Sequence, residues 1–307
     1  MVCAYNTHHN NIAVCYFTNA IFAGIPILEN VFQRFLTTPI KHKRFMTNAR
    51  IKPFFNLEGK IAIVTGASKG IGESMARGLA EFGAKVVVSS RDQAAVDEVA
   101  HALQEDGLTA MGIACHVADD AQRRHLVNQT LEAWGRVDIL INNAGTNPYY
   151  GPIEKMTPEV YQKTMDINLN AAMALSNLVF PSMKANGGGS IIHISSIEGL
   201  HASAMMAAYN ISKAGLIMLG QNQAAEWGRH NIRVNMICPG LVKTKLSAAL
   251  WQDEATLAKT QSKIALRRMA APEEMAGLAV FLASDASSYM TGSVIVNDGG
   301  ILLAPIL

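Results

Sequence analysis

Cysteine is scarce: four in 307 residues. Cys3, Cys15, Cys115 and Cys238 share no paired or metal-ligand spacing, which argues against a disulfide framework or a zinc site. A reducing, cytoplasmic setting fits, with Cys115 and Cys238 read as small buried thiols at strand ends. The nine histidines are scattered, so no metal is expected. Charge of one sign is also lacking. The 26 Lys and Arg against 24 Asp and Glu leave +2, which gives no reason to expect nucleic acid or an acidic surface as partner. Long hydrophobic runs are missing. The apolar stretch 11–28 contains Asn11, Thr18, Asn19 and Pro26, a poor membrane span. No Lys or Arg precedes it, as a secretory signal requires, and the early arginines of a transit peptide are missing. Repeats, low-complexity segments and linkers rich in Pro, Gly or Ser are not found.

Residues 1–56 read as a leader, either disordered or preceding the true start. Met46 is the expected start of translation, because it opens a segment leading directly into the fold. The alternative is a weak organelle or membrane-surface sequence. Residues 57–307 form one domain of α/β type.

Half the residues are hydrophobic, enough for one sizeable core. Apolar runs at 61–65, 85–90, 109–115, 138–142, 190–195, 232–238 and 293–297 alternate with helical patterns. The runs are nearly continuous, as in parallel strands covered on both faces. A doubly wound Rossmann fold is expected, with a seven-stranded parallel sheet flanked by helices.

The first strand, Ile61-Ala62-Ile63-Val64-Thr65, leads directly into Gly66, Gly70 and Gly72. Ile71, Met75, Leu79 and Phe82 then mark one helix face. Strand, glycine turn and helix suit a dinucleotide: glycines admit the pyrophosphate, and the helix amino terminus offers free N–H groups and a favourable dipole. An NAD enzyme carries an acid about 20 residues past this motif for the ribose hydroxyls. Here Ser90 and Arg91 occupy that place, and Lys69 lies in the turn. Two cations and no acid favour NADP(H), with NAD(H) the alternative.

Ser196, Tyr209 and Lys213 are the candidate catalytic residues. Positions i and i+4 share a helix face, so Lys213 can hold its ammonium near the Tyr209 hydroxyl and favour the phenolate. Ser196 follows the run Ser190-Ile191-Ile192-His193-Ile194, at a strand's carboxyl end where open parallel sheets bind ligands.

Taken together, Thr65-Gly66-Ala67-Ser68-Lys69-Gly70-Ile71-Gly72, Asn142-Asn143-Ala144-Gly145, Asn168, Ser196, Tyr209, Lys213, Pro239-Gly240 with Thr244, and Asp298-Gly299-Gly300 resemble the short-chain dehydrogenase/reductase superfamily. The resemblance covers about Leu57 to Leu303. It implies Tyr209 as proton donor in carbonyl reduction and base in alcohol oxidation. Lys213 would lower the Tyr209 pKa and hold the nicotinamide ribose, and Ser196 would hydrogen-bond the substrate oxygen. Asn168 would position a helix and a relay water. Gly66, Ser68, Lys69, Gly70, Ile71, Gly72, Ser90, Arg91, Asn143, Ala144, Gly145, Pro239, Gly240, Val242 and Thr244 would meet the cofactor, together with Tyr209 and Lys213. His116 and Val117 stand where the family commonly has an acid for the adenine. Ser195 adjoins Ser196, but the thirteen-residue spacing to the tyrosine selects Ser196.

The substrate pocket is expected from Asn147, Pro148, Tyr149 and Tyr150; from Glu198, Leu200, His201, Met205 and Met206; and from Leu246, Leu250 and Trp251. This mostly apolar lining favours a lipophilic ketone, aldehyde or secondary alcohol. Glu198 and His201 leave open a sugar or polyol dehydrogenase. A non-enzymatic dinucleotide sensor is a remote alternative, since it would need none of Asn168, Ser196, Tyr209 and Lys213. Apolar residues on the segment 158–185 and the helix after Tyr209 exceed what one sheet face needs. A homo-oligomer, specifically a homotetramer, is expected.

Overall fold

The computed structural model describes residues 50–303. Seven parallel strands run in the order β3-β2-β1-β4-β5-β6-β7. They are β1 (Ile61–Thr65), β2 (Lys85–Ser90), β3 (Ala110–Ala114), β4 (Ile139–Asn142), β5 (Gly189–Ile194), β6 (Ile232–Pro239) and β7 (Val294–Asn297). Each lies within one residue of the expected limits at either end. The helices are α1 (Gly70–Glu81), α2 (Gln93–Glu105), α3 (Asp120–Trp134), α4 (Pro158–Met165), α5 (Ala171–Ala185), α6 (Ala207–Trp227), α7 (Glu254–Ser262) and α8 (Ala276–Ala283).

The continuous apolar runs have a physical cause. Successive strand residues point to opposite faces, and both faces are covered. Ala62 and Val64, Val86 and Val88, and Ile139 and Ile141 pack with α1, α2 and α8. One residue out of step, Ile63, Val87 and Leu140 pack with α3 and α5. Full burial of each such aliphatic side chain contributes about 1.5–3 kcal/mol.

On α1, Met75 and Leu79 are fully buried and Ile71 packs at the edge of the same cluster. Phe82 departs from the expectation and is 45% exposed. The helix ends at Glu81, and Gly83 at φ +101° turns the chain away. The part of the leader before residue 50 lies outside the described residues, including Met46. Lys52–Phe55 form a short 3-10 turn, and Phe55 lies 6.3 Å from Phe281 between ring centroids. The folded domain thus begins ahead of residue 57.

Of the apolar residues expected to remain free, Leu175 and Leu216 are core. Met173 on α5, and Ile211 and Met218 on α6, are exposed. No helix among the described residues is long and apolar enough to cross a membrane.

One polar cluster lies in the core. His193 of β5 is fully buried. Its Nδ1 faces Asn142 Nδ2 at 3.2 Å, and its Nε2 faces Gln223 Oε1 at 2.8 Å. Asn142 Nδ2 also donates to Ser176 Oγ at 3.3 Å. An amide donor on one side and a carbonyl on the other select the neutral imidazole with its proton on Nε2.

Candidate active site

The strand order reverses between β1 and β4, so the loops leaving those strands diverge and open a crevice at their carboxyl ends. A cavity of about 1480 Å³ occupies it. The two loops are tied at its base. Asn143 Nδ2 donates to Thr65 O at 2.9 Å and Gly66 O at 3.0 Å. The backbone N–H groups of Asn143 and Ala144 donate to Thr65 Oγ1 at 3.1 and 3.2 Å. Asn143 and Thr65 therefore shape the glycine turn from below.

Gly66 adopts φ +64° and Gly70 φ +63°, conformations that disfavour any side chain. A Cβ on Gly66 would sit 2.9 Å from Ala144 Cα. Lys69 precedes α1 with no side-chain cap, so the first N–H groups of the helix have no side-chain partner and face the cavity. This bare, concave turn at a helix amino terminus fits a pyrophosphate. The loop after β6 closes over it: a Cβ on Gly70 would lie 3.4 Å from Thr244 Cγ2.

Every sequence-predicted cofactor residue lines this cavity: Gly66, Ser68, Lys69, Gly70, Ile71, Gly72, Ser90, Arg91, His116, Val117, Asn143, Ala144, Gly145, Tyr209, Lys213, Pro239, Gly240, Val242 and Thr244. Lys69 and Arg91 are exposed and form no ion pair with a described residue. The nearest acid in sequence, Asp92, is committed as the cap of α2, accepting from Ala94 N at 3.1 Å and Ala95 N at 3.4 Å. His116 Nδ1 accepts from Ala118 N at 3.3 Å. No group of His, Cys, Asp and Glu among the described residues could hold a metal ion.

Ser196, Tyr209 and Lys213 converge at one part of the cavity wall. Ser196 leaves β5 in extended conformation, and its Oγ accepts from Glu198 N at 3.1 Å. Ser195 points elsewhere and donates to Lys213 O at 2.8 Å, fixing α6 against β5. Lys213 Nζ donates to Ile194 O at 2.7 Å and stands 5.6 Å from the centre of the Tyr209 ring.

The electrostatics differ from the sequence expectation. Burial pushes the Tyr209 hydroxyl up to about 12, opposed by the Ser196 hydroxyl and reinforced by the charge of Glu198. Desolvation of the phenol is the larger effect here, although the Lys213 ammonium stands close to the ring. Burial brings Lys213 itself down to about 8. The protein alone therefore holds a neutral phenol at pH 7.

Asn168 is placed by a break in the helical segment. A π turn, Asp166–Asn170, separates α4 from α5. Asn168 does not line the cavity but lies behind Gly145. Its Oδ1 accepts from Thr146 N at 2.8 Å, and its Nδ2 donates to Thr146 O at 2.9 Å and Ser212 Oγ at 3.0 Å. A Cβ on Gly145 would fall 3.5 Å from Lys213 Nζ and 3.6 Å from Asn168 Oδ1. The space between lysine and asparagine is open because residue 145 is glycine.

The expected substrate lining is only partly realised. Asn147, Glu198, Met206, Leu246, Leu250 and Trp251 line the cavity. Pro148, Tyr149, Tyr150, Leu200, His201 and Met205 do not. Tyr149 turns its hydroxyl back to donate to Pro152 O at 2.9 Å, and Tyr150 is 73% exposed. Trp251 anchors the loop after β6, its Nε1 donating to Thr244 O at 3.2 Å. Sequence reasoning missed Ser212 and Thr146 as partners of Asn168, although Ser212 stands inside the Tyr209–Lys213 motif.

The sheet order, the glycine turn at its switch point and the serine, tyrosine and lysine on one wall define a class. The chain belongs to the short-chain dehydrogenase/reductase superfamily and is an NAD(P)-dependent oxidoreductase acting on CH–OH groups. Residues 66–302 match the family model described as enoyl-(acyl carrier protein) reductase. The chain is 43% identical over 244 residues to dehydrogenase/reductase SDR family member 4 of Oryctolagus cuniculus, spanning 80% of this chain and 94% of that protein. The protein of the same name from Caenorhabditis elegans is 41% identical over 249 residues, with 80% and 95% covered. Among solved structures, a gluconate 5-dehydrogenase from Burkholderia cenocepacia, in complex with NADP and tartrate, is 33% identical with TM-score 0.78. It covers 82% of this chain and 98% of its own. A short-chain type dehydrogenase/reductase from Mycobacterium marinum is 37% identical with TM-score 0.78, covering 82% and 99%. Enzymatic function sets the sensor alternative aside.

Proposed function

We propose that the chain is a cytoplasmic carbonyl reductase with a preference for NADP(H), running in reverse on secondary alcohols. The observation that carries this reading is a neutral, half-buried Tyr209 beside Ser196, on a cavity that also carries two cations, Lys69 and Arg91, with no ion-pair partner among the described residues.

The glycine turn and the amino terminus of α1 would hold the pyrophosphate, and Lys69 and Arg91 the 2′-phosphate. His116 and Val117 would meet the adenine, and Tyr209 and Lys213 the nicotinamide ribose. When bound, NADPH supplies a hydride to the substrate carbonyl carbon. Ser196 and Tyr209 donate hydrogen bonds to the carbonyl oxygen and fix its position. Tyr209 gives up its proton as that oxygen becomes an alkoxide. Lys213, charged at pH 7, stabilises the phenolate that results. Asn168 holds the far side of the opening beside Gly145, through which a proton can return to Tyr209. Leu246, Leu250 and Trp251 offer an apolar wall to a lipophilic substrate.

Arg91→Ala should weaken NADPH binding at least tenfold and leave NADH binding nearly unchanged, since a charge-assisted phosphate contact contributes about 1.5–3 kcal/mol. Fluorescence titration with both nucleotides checks this. Tighter binding of NADH by the unaltered protein would refute the cofactor preference.

The exposed Met173, Ile211 and Met218 on α5 and α6 support a homotetramer, with those helices paired against a second copy. Light scattering at micromolar concentration should give four times the chain mass. A single-chain mass would refute assembly.

A sugar or polyol dehydrogenase is the second reading, favoured by one observation: Glu198 on the cavity wall.

A further inference from the structure

Glu198 is a carboxylate on the cavity wall. It lies two residues beyond Ser196, in the 3-10 turn Ile197–Gly199. Its backbone N–H is bound to the Ser196 hydroxyl at 3.1 Å, so the turn and the catalytic serine move as one unit. Its Oε2 is buried and has no hydrogen-bond partner in the protein. Its charge reaches the Tyr209 hydroxyl. The nearby ammonium, that of Lys213, is bound to Ile194 O. A buried carboxylate oxygen without a donor is costly, and a protein of this size leaves few. Glu198 lines the same cavity as Ser196 and Tyr209, so a molecule held there can supply the missing donor.

Resting on the reductase reading above, we propose that Glu198 is the specificity-determining residue, selecting ketones that carry a hydroxyl next to the carbonyl and rejecting those that carry a carboxylate there. A hydroxyl on the neighbouring carbon donates to Oε2 while the carbonyl oxygen accepts from Ser196 and Tyr209. A carboxylate in the same place sets two anions together beside a partly buried wall, an unfavourable pairing. The remaining wall, Leu246, Leu250 and Trp251, suits an apolar group on the far side of the carbonyl. The reaction taken is then the reduction of a vicinal hydroxyketone to a diol, or the reverse. Hydride goes to the carbonyl carbon and the Tyr209 proton to its oxygen; the hydroxyl that Glu198 holds is unchanged.

Three matched ketones test this: acetophenone, 2-hydroxyacetophenone and phenylglyoxylate. With NADPH, kcat/KM should rank hydroxy over methyl over carboxylate, each step about tenfold or more. Glu198→Leu should bring the hydroxy-to-methyl ratio to within about twofold, mainly through KM. Glu198→Gln keeps an acceptor without the charge, so it should retain the hydroxy preference and relieve the carboxylate penalty. Calorimetric binding of the three compounds in the presence of NADP⁺ is the second readout. Ranked binding that Glu198→Leu abolishes, without turnover of any ketone, would uphold Glu198 and refute the reductase reading. Turnover with an unchanged ratio in Glu198→Leu, or phenylglyoxylate reduced as well as 2-hydroxyacetophenone, would overturn the assignment of Glu198 alone. Absence of both binding and turnover would overturn both.

Discussion

Tyr209→Phe is expected to lower turnover at least 100-fold while NADPH still binds. The substitution removes one oxygen from a half-buried ring and leaves its packing in place. General acid catalysis contributes about 10²–10⁴-fold, and no other described side chain beside Ser196 can take over the task. Lys213 lies beyond the ring and is bound to a backbone carbonyl. The hydroxyl titrates at about 12 in the protein alone, but Lys213, which would stabilise the phenolate, titrates at about 8, so reduction by the unaltered enzyme should hold at neutral pH and fall as pH rises past about 8. Steady-state rates with a ketone panel, together with nucleotide titration of the variant, check this. Near-normal rates in Tyr209→Phe would exclude it as proton donor.

Acid should destabilise the fold through His193. Burial is the main cause that brings this imidazole down to about 4 from its ordinary 6.5, with a hydrogen bond to Gln223 opposing and the Lys213 charge adding to the fall. Between those values the unfolded chain binds a proton that the native state refuses. The contribution of neutral His193 is therefore complete above about pH 6.5 and is lost as pH falls through about 4. The shift corresponds to about 3 kcal/mol. A proton on Nδ1 would also point at the Asn142 amide donor, so that amide must flip and release Ser176. Urea midpoints measured from pH 7.5 to pH 4 should fall steeply in the native protein and less steeply in His193→Gln. Parallel slopes for the two proteins would show that the loss arises elsewhere.

The sheet was legible because both faces of its inner strands are covered, so these strands appear as nearly continuous apolar runs. The glycine turn and the Ser196, Tyr209 and Lys213 set were legible because each depends on short-range spacing. What escaped depends on side-chain bonding that spacing alone does not reveal, both local and long-range. No glycine or proline marks the π turn at Asp166–Asn170, yet it aims Asn168 at Thr146 and Ser212. Tyr149 and Tyr150 looked like pocket residues, but a bond from the Tyr149 hydroxyl to Pro152 O turns the loop away from the cavity. The Tyr209 titration was misjudged for the same reason. Spacing brings Lys213 within reach, whereas burial decides how far the phenol rises. Asp92 stands beside Arg91 in sequence, and only the structure commits it to capping α2.

The reversal of strand order between β1 and β4 has a consequence for how this enzyme can change. Residues that would grip the adenosine end, from Gly66 to Val117, all precede β4 in the chain. Those that would handle the proton and the substrate, from Asn168 to Trp251, all follow it. The two halves of the sequence meet through the Thr65–Asn143 knot and the loop after β6. Nucleotide preference and substrate preference are thus written in separate stretches of gene. Alterations at Arg91 and at Glu198, joined by no shared partner among the described residues, can accumulate independently, with energies that add. A recombination point between β3 and β4 would exchange one trait without disturbing the other.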